Sequence, residues 1–334
     1  MSFFAVLLAL ALEQLRPLPR RHAIQDALTA WADWTGRNFD AGREHHAWVV
    51  WTIATLVPAV AVWLVYFALM HVNVLLGLAW NAAVLYLTLG FRQFSHYFTD
   101  IRDALERGDE IEARRLLSQW QRIESADLPR DELLRHVIEQ SLLAAHRHVF
   151  GVFFWFIVLA TLGFGPAGAV LYRMAGFVAR HGAKRGATTG VPVNERLAQI
   201  ARRMFERIDF IPSRMTAFGF AVVGDFEEAI ACWRRDAVLW PSSNDGVVLA
   251  AAAGAVGVRL GGRAPQVQRP AGPLADFDVA VALEGPEPPP VAAAATPGLT
   301  PEFGHLRSVV GLVWRSVVLW MLLLALLTVA NLIG

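Results

Sequence analysis

Apolar residues in this chain gather into long blocks instead of alternating with polar ones. Trp48 to Met70 carries no charged residue and is long enough, as a helix, to cross about 30 Å of hydrocarbon. Pro58 lies inside it. A membrane helix tolerates proline when a neighbour satisfies the carbonyl that loses its N–H. Trp48, Trp51, Trp63 and Tyr66 lie toward its two ends, as interfacial aromatics do. Val72 to Phe91 is also uncharged and follows through His71, which predicts a tight helical hairpin. Asn81, in the middle of the second arm, is expected to make a helix–helix hydrogen bond or a substrate contact.

The third block, Phe150 to Tyr172, centres on Gly163-Phe164-Gly165-Pro166-Ala167-Gly168. Clustered Gly and Pro break helices, so two short half-helices are expected there. Leu312 to Ile333, with Arg315 near its start, reads as a C-terminal anchor. Met1–Leu12, Met215–Val223 and Val247–Val258 are too short to be assigned as spans. No basic stretch precedes Met1–Leu12, so it is not read as a cleavable signal peptide.

Polar segments lie between these blocks. Ile101, Ala104, Leu105, Ile111, Leu116, Leu117 and Trp120 recur at helical spacing. Gly108-Asp109 is expected to separate two short helices. Asp127 and Pro129 mark the start of another, over 131–148. Asn194 to Arg214 predicts an amphipathic helix ending near Pro212. Arg263 to Thr300, rich in Pro, Ala and Gly, reads as a flexible linker. The pattern predicts an all-α, polytopic integral membrane protein with amphipathic cytoplasmic helices and a re-entrant segment broken by Gly and Pro. Its parts are an N-terminal membrane region, 1–91, with the hairpin 48–91; a cytoplasmic helical segment, 92–148; a core, 149–262, containing the broken segment 150–172; the linker, 263–300; and the anchor, 301–334.

Composition agrees with this division. Of 334 residues, 55% are hydrophobic and 18% charged, where soluble domains carry about 25% charged residues. A net charge of +1 gives no basic face for nucleic acid. The single cysteine, Cys232, excludes an intrachain disulfide and a thiolate metal cluster. Lys and Arg favour the cytoplasmic side. Arg16, Arg20, Arg21, Arg37 and Arg43 precede the hairpin, and Arg92, Arg102, Arg107, Arg114 and Arg115 follow it. Both groups are therefore expected on the cytoplasmic face of the membrane. Arg173, Arg180, Lys184, Arg185, Arg196, Arg202 and Arg203 follow the third block. They return to that face only if the chain turns back at the Gly-Pro centre.

Several residues carry candidate chemistry. His45, His46, His136, His146 and His148 match no zinc spacing and read as interfacial or hydrogen-bonded. Gly182–Gly190, GAKRGATTG, reads as a Gly-rich basic loop that either cradles phosphate or is simply cytoplasmic. Arg203, Glu206, Asp209 and Arg214 surround Ile211-Pro212-Ser213. Spacings of three place Arg203 with Glu206, and Glu206 with Asp209, on a shared helix face, which suggests an ion-pair cluster or a ligand site. Ser242-Ser243-Asn244-Asp245-Gly246 precedes a small-residue run. Ser243 or Asn244 is the expected cap.

Four stretches resemble the CobD/CbiB family in order and spacing over about residues 90–262. SSNDGVVLAAAAGAVGVRLGG at 242–262 resembles its C-terminal signature. IDFIPSRMTA at 208–217 resembles N-W-I-P-A-R-L-T-A, and GPAGAVLYR at 165–173 resembles G-x-P-G-A-x-Y-R/K. Gly108-Asp109 with Ala113–Ser118 is similar to G-D-L-x-x-A-R-x-x-L-S. The resemblance implies a membrane protein of cobalamin biosynthesis. Such a protein is a ligase forming an amide between adenosylcobyric acid and aminopropanol or its phosphate, with ATP and Mg²⁺. It implies Glu206 and Asp209 as catalytic residues and Arg203, Arg214, Ser242 and Asn244 as substrate-binding residues, with Glu139 a further candidate carboxylate. Membrane lipid is the expected surroundings, and a corrinoid and other membrane proteins are the expected partners.

The chain departs from the family pattern in places. V-G-R-D-T is replaced by Trp120–Glu124, E-S-L-A-E-N followed by D-G is replaced by Glu139–His146, and N-T-L-D-S-M-x-G-Y is replaced by Met174–Gly182. FFAVLLALALEQLRPL, Phe154-Trp155-Phe156 and GDFEEAIACW at 224–233 resemble the AmpE-like inner-membrane proteins associated with β-lactamase regulation. That resemblance implies a catalytically inactive sensor or assembly protein.

Overall fold

A computed structural model describes residues 2–15, 23–39, 44–89, 91–121, 128–189, 195–262 and 295–333. Among these residues the only regular structure is helical, apart from two isolated bridges. Helices α1 (Ser2–Leu15), α2 (Ala23–Phe39), α3 (Glu44–Val72) and α4 (Val74–Thr88) come first. They are followed by α5 (Phe91–Glu106), α6 (Glu110–Gln121), α7 (Arg130–Ala145) and α8 (Gly151–Thr161). Then come α9 (Ala167–Thr189), α10 (Glu195–Val223), α11 (Phe226–Asp236), α12 (Ser243–Val256) and α13 (Phe303–Ile333).

Three stretches are long and apolar enough to cross a membrane: His46–Val72, Arg130–Thr161 and Phe303–Ala330. The first and third present apolar faces outward, whereas Arg130–Thr161 is largely buried. Leu64 on α3 and Leu326 on α13 are 53% and 58% exposed, which suits hydrocarbon, not water. The hairpin α3–α4 forms as expected, but its link is Asn73, whose side chain accepts from Leu75 N at 2.8 Å, and not His71. The second arm has 15 residues, too few to span as one straight helix. Asn81 is buried, and its Oδ1 has no partner among the described residues, so the expected hydrogen bond through that oxygen is not formed.

Both prolines inside long helices are accommodated in the same way. Pro58 frees the carbonyl of Ala54, which accepts from Trp31 Nε1 at 3.3 Å. Pro212 frees that of Ile208, which accepts from Trp155 Nε1 at 3.1 Å. The expected end of the helix near Pro212 is therefore corrected: α10 runs on to Val223. The indole supplies the donor that proline lacks.

The helix expected over 131–148 continues through a π segment, His146–Phe150, into α8. The boundary drawn at 148/149 thus falls inside one continuous helix. The chain does turn back at the Gly-Pro centre. Gly163 and Gly165 adopt φ of 86° and 54°, which side chains with a Cβ rarely take. Helices α8 and α9 then pack against each other. Gly165 to Gly168 are buried, Gly165 against Tyr66 of α3, whereas Leu162 and Phe164 at the turn itself are exposed, the Phe164 ring lying 5.7 Å from that of Trp63.

Gly108, with φ 76°, separates α5 from α6, and Asp109 Oδ1 caps α6 by accepting from Glu112 N at 3.0 Å. Gly182 to Thr189, read as a loop, instead continue α9. Gly190 and the side chains of 181–195 lie outside the described residues, as do Asp127, Arg16, Arg20, Arg21, Arg43 and the linker over 263–294. Within the last residues of the expected linker, Thr296 N donates to Leu260 O at 2.8 Å and Arg259 N to Leu299 O at 2.8 Å, so residues 296–299 are fastened to the end of the core.

Helix α12 lies at the centre, packed by α7, α10, α11 and α13. Its Ala and Gly residues are nearly all buried. A Cβ on Gly254 would lie 2.3 Å from Glu228 O, so the α11–α12 approach depends on the missing side chain.

Candidate functional site

The π segment, α9, α10 and the first turn of α12 converge on one polar assembly. A π segment widens the turn and re-aims side chains, and such segments are frequent at functional sites. Here it aims His146 at α10. Its Nε2 lies 3.0 Å from Asp209 Oδ1 and its Nδ1 lies 2.9 Å from Thr216 Oγ1. Tyr172 OH, from α9, donates to the same Asp209 oxygen at 2.7 Å. His146, Asp209, Tyr172 and Thr216 are all buried. A buried carboxylate needs such donors.

Thr216 Oγ1 also lies 2.9 Å from Pro212 O, and one hydroxyl proton cannot serve both that carbonyl and His146 Nδ1.

The next residues face a more accessible space. Arg147 Nη2 donates to both carboxylate oxygens of Asp245, at 2.7 and 2.6 Å. Arg173 Nη1 donates to His148 Nδ1 at 2.5 Å. Arg180, two turns further along α9, stacks toward Phe205, its guanidinium carbon 5.8 Å from the ring centre. Burial lowers the pKa of Arg173 to about 10; burial and the charges of Arg147 and Arg173 lower that of Arg180 to about 10. Both remain cations near neutrality.

The residues singled out from the sequence are placed as follows. Asp209 is at the centre of the buried quartet. Asn244 bridges α12 to α10: its Oδ1 accepts from Arg214 Nη1 at 3.0 Å and its Nδ2 donates to Glu206 O at 2.8 Å. Arg214 also lies over the Phe210 ring, 3.5 Å from its centre. Ser242, not Ser243 or Asn244, caps α12, accepting from Asp245 N at 3.3 Å. Arg203 and Glu206 are exposed while Asp209 is buried. No ion pair joins Arg203, Glu206 and Asp209 among the described residues, which corrects the expected cluster. Glu206 reaches the assembly only through its carbonyl, which accepts from Asn244, while its side chain is exposed. Glu139 lies elsewhere on α7, pairing with Arg135 at 3.2 Å and accepting from Gly261 N at 2.7 Å.

Sequence reading did not assign His146, Arg147, Tyr172, Arg173, Arg180, Thr216 or Asp245 to the site. Two signals were present. Tyr172-Arg173 close one of the family stretches, and Asp245 follows Asn244 in another.

The described residues form no resident site for the magnesium that the resemblance implies. Among the described residues no three of His, Cys, Asp and Glu gather as metal ligands. Asp245 is taken by Arg147, and Asp209 by His146 and Tyr172. A magnesium site needs carboxylate oxygens open to the ion and its waters.

Comparison with known proteins gives a consistent picture. The CobD/Cbib protein family matches over residues 3–272. A protein of Stutzerimonas stutzeri, named Cobalamin biosynthesis protein CobD, is 30% identical over 337 residues, covering 96% of each chain. Proteins of the same name from Chromobacterium violaceum and Pelobacter propionicus are also similar. The first is 36% identical over 186 residues, covering 54% of this chain and 55% of that protein. The second is 28% identical over 267 residues, covering 77% and 78%. No solved structure matches. With its motifs meeting in one buried assembly and its match spanning most of the sequence, this chain belongs to the CobD/CbiB family of cobalamin biosynthesis.

Proposed function

We propose that this protein is an inner-membrane member of the cobalamin pathway. It would join the carboxylate of adenosylcobyric acid to the amine of aminopropanol or its phosphate. One observation carries this reading: three separate family-like stretches supply Tyr172, Asp209 and Asp245 to a single polar assembly at the π segment. Amide formation from a carboxylate loses water, so ATP belongs to this reading as co-substrate, activating the carboxylate. The chain's own residues would bind and orient. Arg147 and Asn244 hold α12 in register with the π segment and with α10, while Arg214 and Arg173 face the accessible side.

In this reading the assembly lies on the cytoplasmic side, which the basic segments flanking the spans support. Purified full-length protein given adenosylcobyric acid, aminopropanol phosphate, ATP and Mg²⁺ should form the amide product, detected by mass. Absence of product in protein that is folded, together with normal cobinamide formation in a deletion strain fed cobyric acid, rejects the enzyme.

A second reading, a catalytically inactive AmpE-like membrane sensor or assembly protein, is favoured by the carboxylates of Asp209 and Asp245 being already engaged. That reading predicts a corrinoid-independent phenotype on deletion.

A further inference from the structure

We infer that α10 lies along the membrane surface, with its exposed apolar half in hydrocarbon and its exposed arginines on anionic lipid headgroups. This placement is independent of the reaction proposed above.

Arg203, Arg207, Ile211, Met215, Phe218 and Val222 follow one another at three or four residues and are all exposed, so they form one stripe along the helix. The stripe changes character once. In its first half Arg202, Arg203 and Arg207 are exposed beside a single acidic residue, Glu206, and none of the three forms an ion pair among the described residues. In its second half Ile211, Met215, Phe218 and Val222 are 40–53% exposed. Arg214, the cation of that half, turns inward to Asn244 and lies over the Phe210 ring. Beyond Val222, Asp225, Glu227 and Glu228 are exposed. The apolar half is about 20 Å long, too short to cross a bilayer, and charge closes it at both ends. A stripe of phenylalanine and aliphatic side chains beside arginines belongs at the boundary between headgroups and acyl chains.

Its neighbours show what covers it. Gly219 sits on Trp320 of α13, where a Cβ would lie 3.5 Å from the indole Nε1. Trp320 is inside the apolar stretch Phe303–Ala330. Leu323 and Leu327, three and seven residues further on and so on the same side of α13, are exposed. The apolar half of α10 therefore continues into a surface suited to hydrocarbon. At the other end Ile200 and Ala201 pack with Trp51 and Ala54 of α3. There Trp31 donates to Ala54 O and Trp48 meets Trp51 edge to face. Grouped indoles mark the headgroup level, and Arg202 and Arg203 follow directly, where negative lipid charge lies. A protein partner would account for the phenylalanines but not for their continuity with the outer face of a spanning helix. The opposite side of α10 carries Asp209, Ser213 and Thr216, all buried. The polar assembly is thus held about one helix diameter, roughly 10 Å, from lipid. Arg203, expected from the sequence at a substrate, is assigned to the lipid instead.

Nitroxide labels at Phe218→Cys and Ile111→Cys, each in a Cys232→Ser background, test the depth. The full-length protein is reconstituted in bilayers of phosphatidylcholine and phosphatidylglycerol. The label at 218 should relax with oxygen and not with a water-soluble nickel chelate; the label at 111, an exposed position of α6, should do the reverse. Met215→Cys serves in place of Phe218→Cys if that variant does not fold. Spin-labelled phosphatidylglycerol should be held at the protein in preference to spin-labelled phosphatidylcholine. Arg203→Gln combined with Arg207→Gln should cut that preference by about twofold or more at low salt. The corresponding lysine pair, which keeps the charge, should retain it, and the control Arg235→Gln should leave it unchanged. A label at 218 reached by the nickel chelate overturns this placement, as does a label shielded from both reagents, which a second copy of the chain would produce. Absence of a preference for phosphatidylglycerol, or a preference that survives loss of both arginines, overturns it equally.

Discussion

Removing the Trp155 indole N–H should weaken the protein only as long as proline occupies position 212. In α10 the carbonyl of Ile208 would ordinarily accept from the N–H of residue 212, which proline lacks. Trp155 Nε1 takes its place at 3.1 Å. In Trp155→Phe the ring remains largely apolar but the carbonyl loses its donor. An unsatisfied buried polar group costs about 1–3 kcal/mol, to which a smaller loss of aromatic packing adds. Pro212→Ala restores a backbone N–H to Ile208 and removes the need for the indole. In that background Trp155→Phe should cost only the packing part. The double-mutant cycle should therefore give a coupling of about 1–2 kcal/mol. Unfolding of the purified protein in mixed micelles, followed by helical circular dichroism, reads all four variants. Equal costs of Trp155→Phe in the two backgrounds would refute the reasoning and return Pro212 to the status of a simple kink.

Trp31→Phe should repeat the effect on α3, where the indole serves Ala54 O ahead of Pro58, with a loss of about 1 kcal/mol seen as a lower unfolding midpoint. Gly254→Ala places a Cβ against Glu228 O and should cost about 1–3 kcal/mol; the same substitution at Gly304, where nothing lies within 4 Å, should not destabilise. Asp209→Ala strands His146 Nε2 and Tyr172 OH in the core and should lose about 3–5 kcal/mol, whereas Asp209→Asn, which keeps an oxygen for Tyr172, should lose less; equal losses in a thermal melt would deny the carboxylate its place in the quartet.

Features written in a short run of sequence were legible. Uncharged length marked Trp48–Met70 and Leu312–Ile333, because spanning hydrocarbon is a one-dimensional requirement. Gly163 and Gly165 marked the turn, because positive φ is a local property of the backbone. Gly108-Asp109 marked a helix boundary for the same reason. Asp209, Arg214, Ser242 and Asn244 were legible as important through their motifs, although not as a set of contacts.

The partners of those residues were decided only in three dimensions. His146 meets Asp209 across 63 residues, and Arg147 meets Asp245 across 98. Trp155 keeps α10 helical through Pro212 by reaching Ile208, 53 residues away. Spacing along one helix suggested that Arg203, Glu206 and Asp209 act together, yet only the packing of α9, α10 and α12 decides which of them is buried. The chain alone determined where helices lie and where they break, since both follow from neighbouring residues. Which polar groups share a proton or a charge depends on side chains that only tertiary packing brings within hydrogen-bond reach.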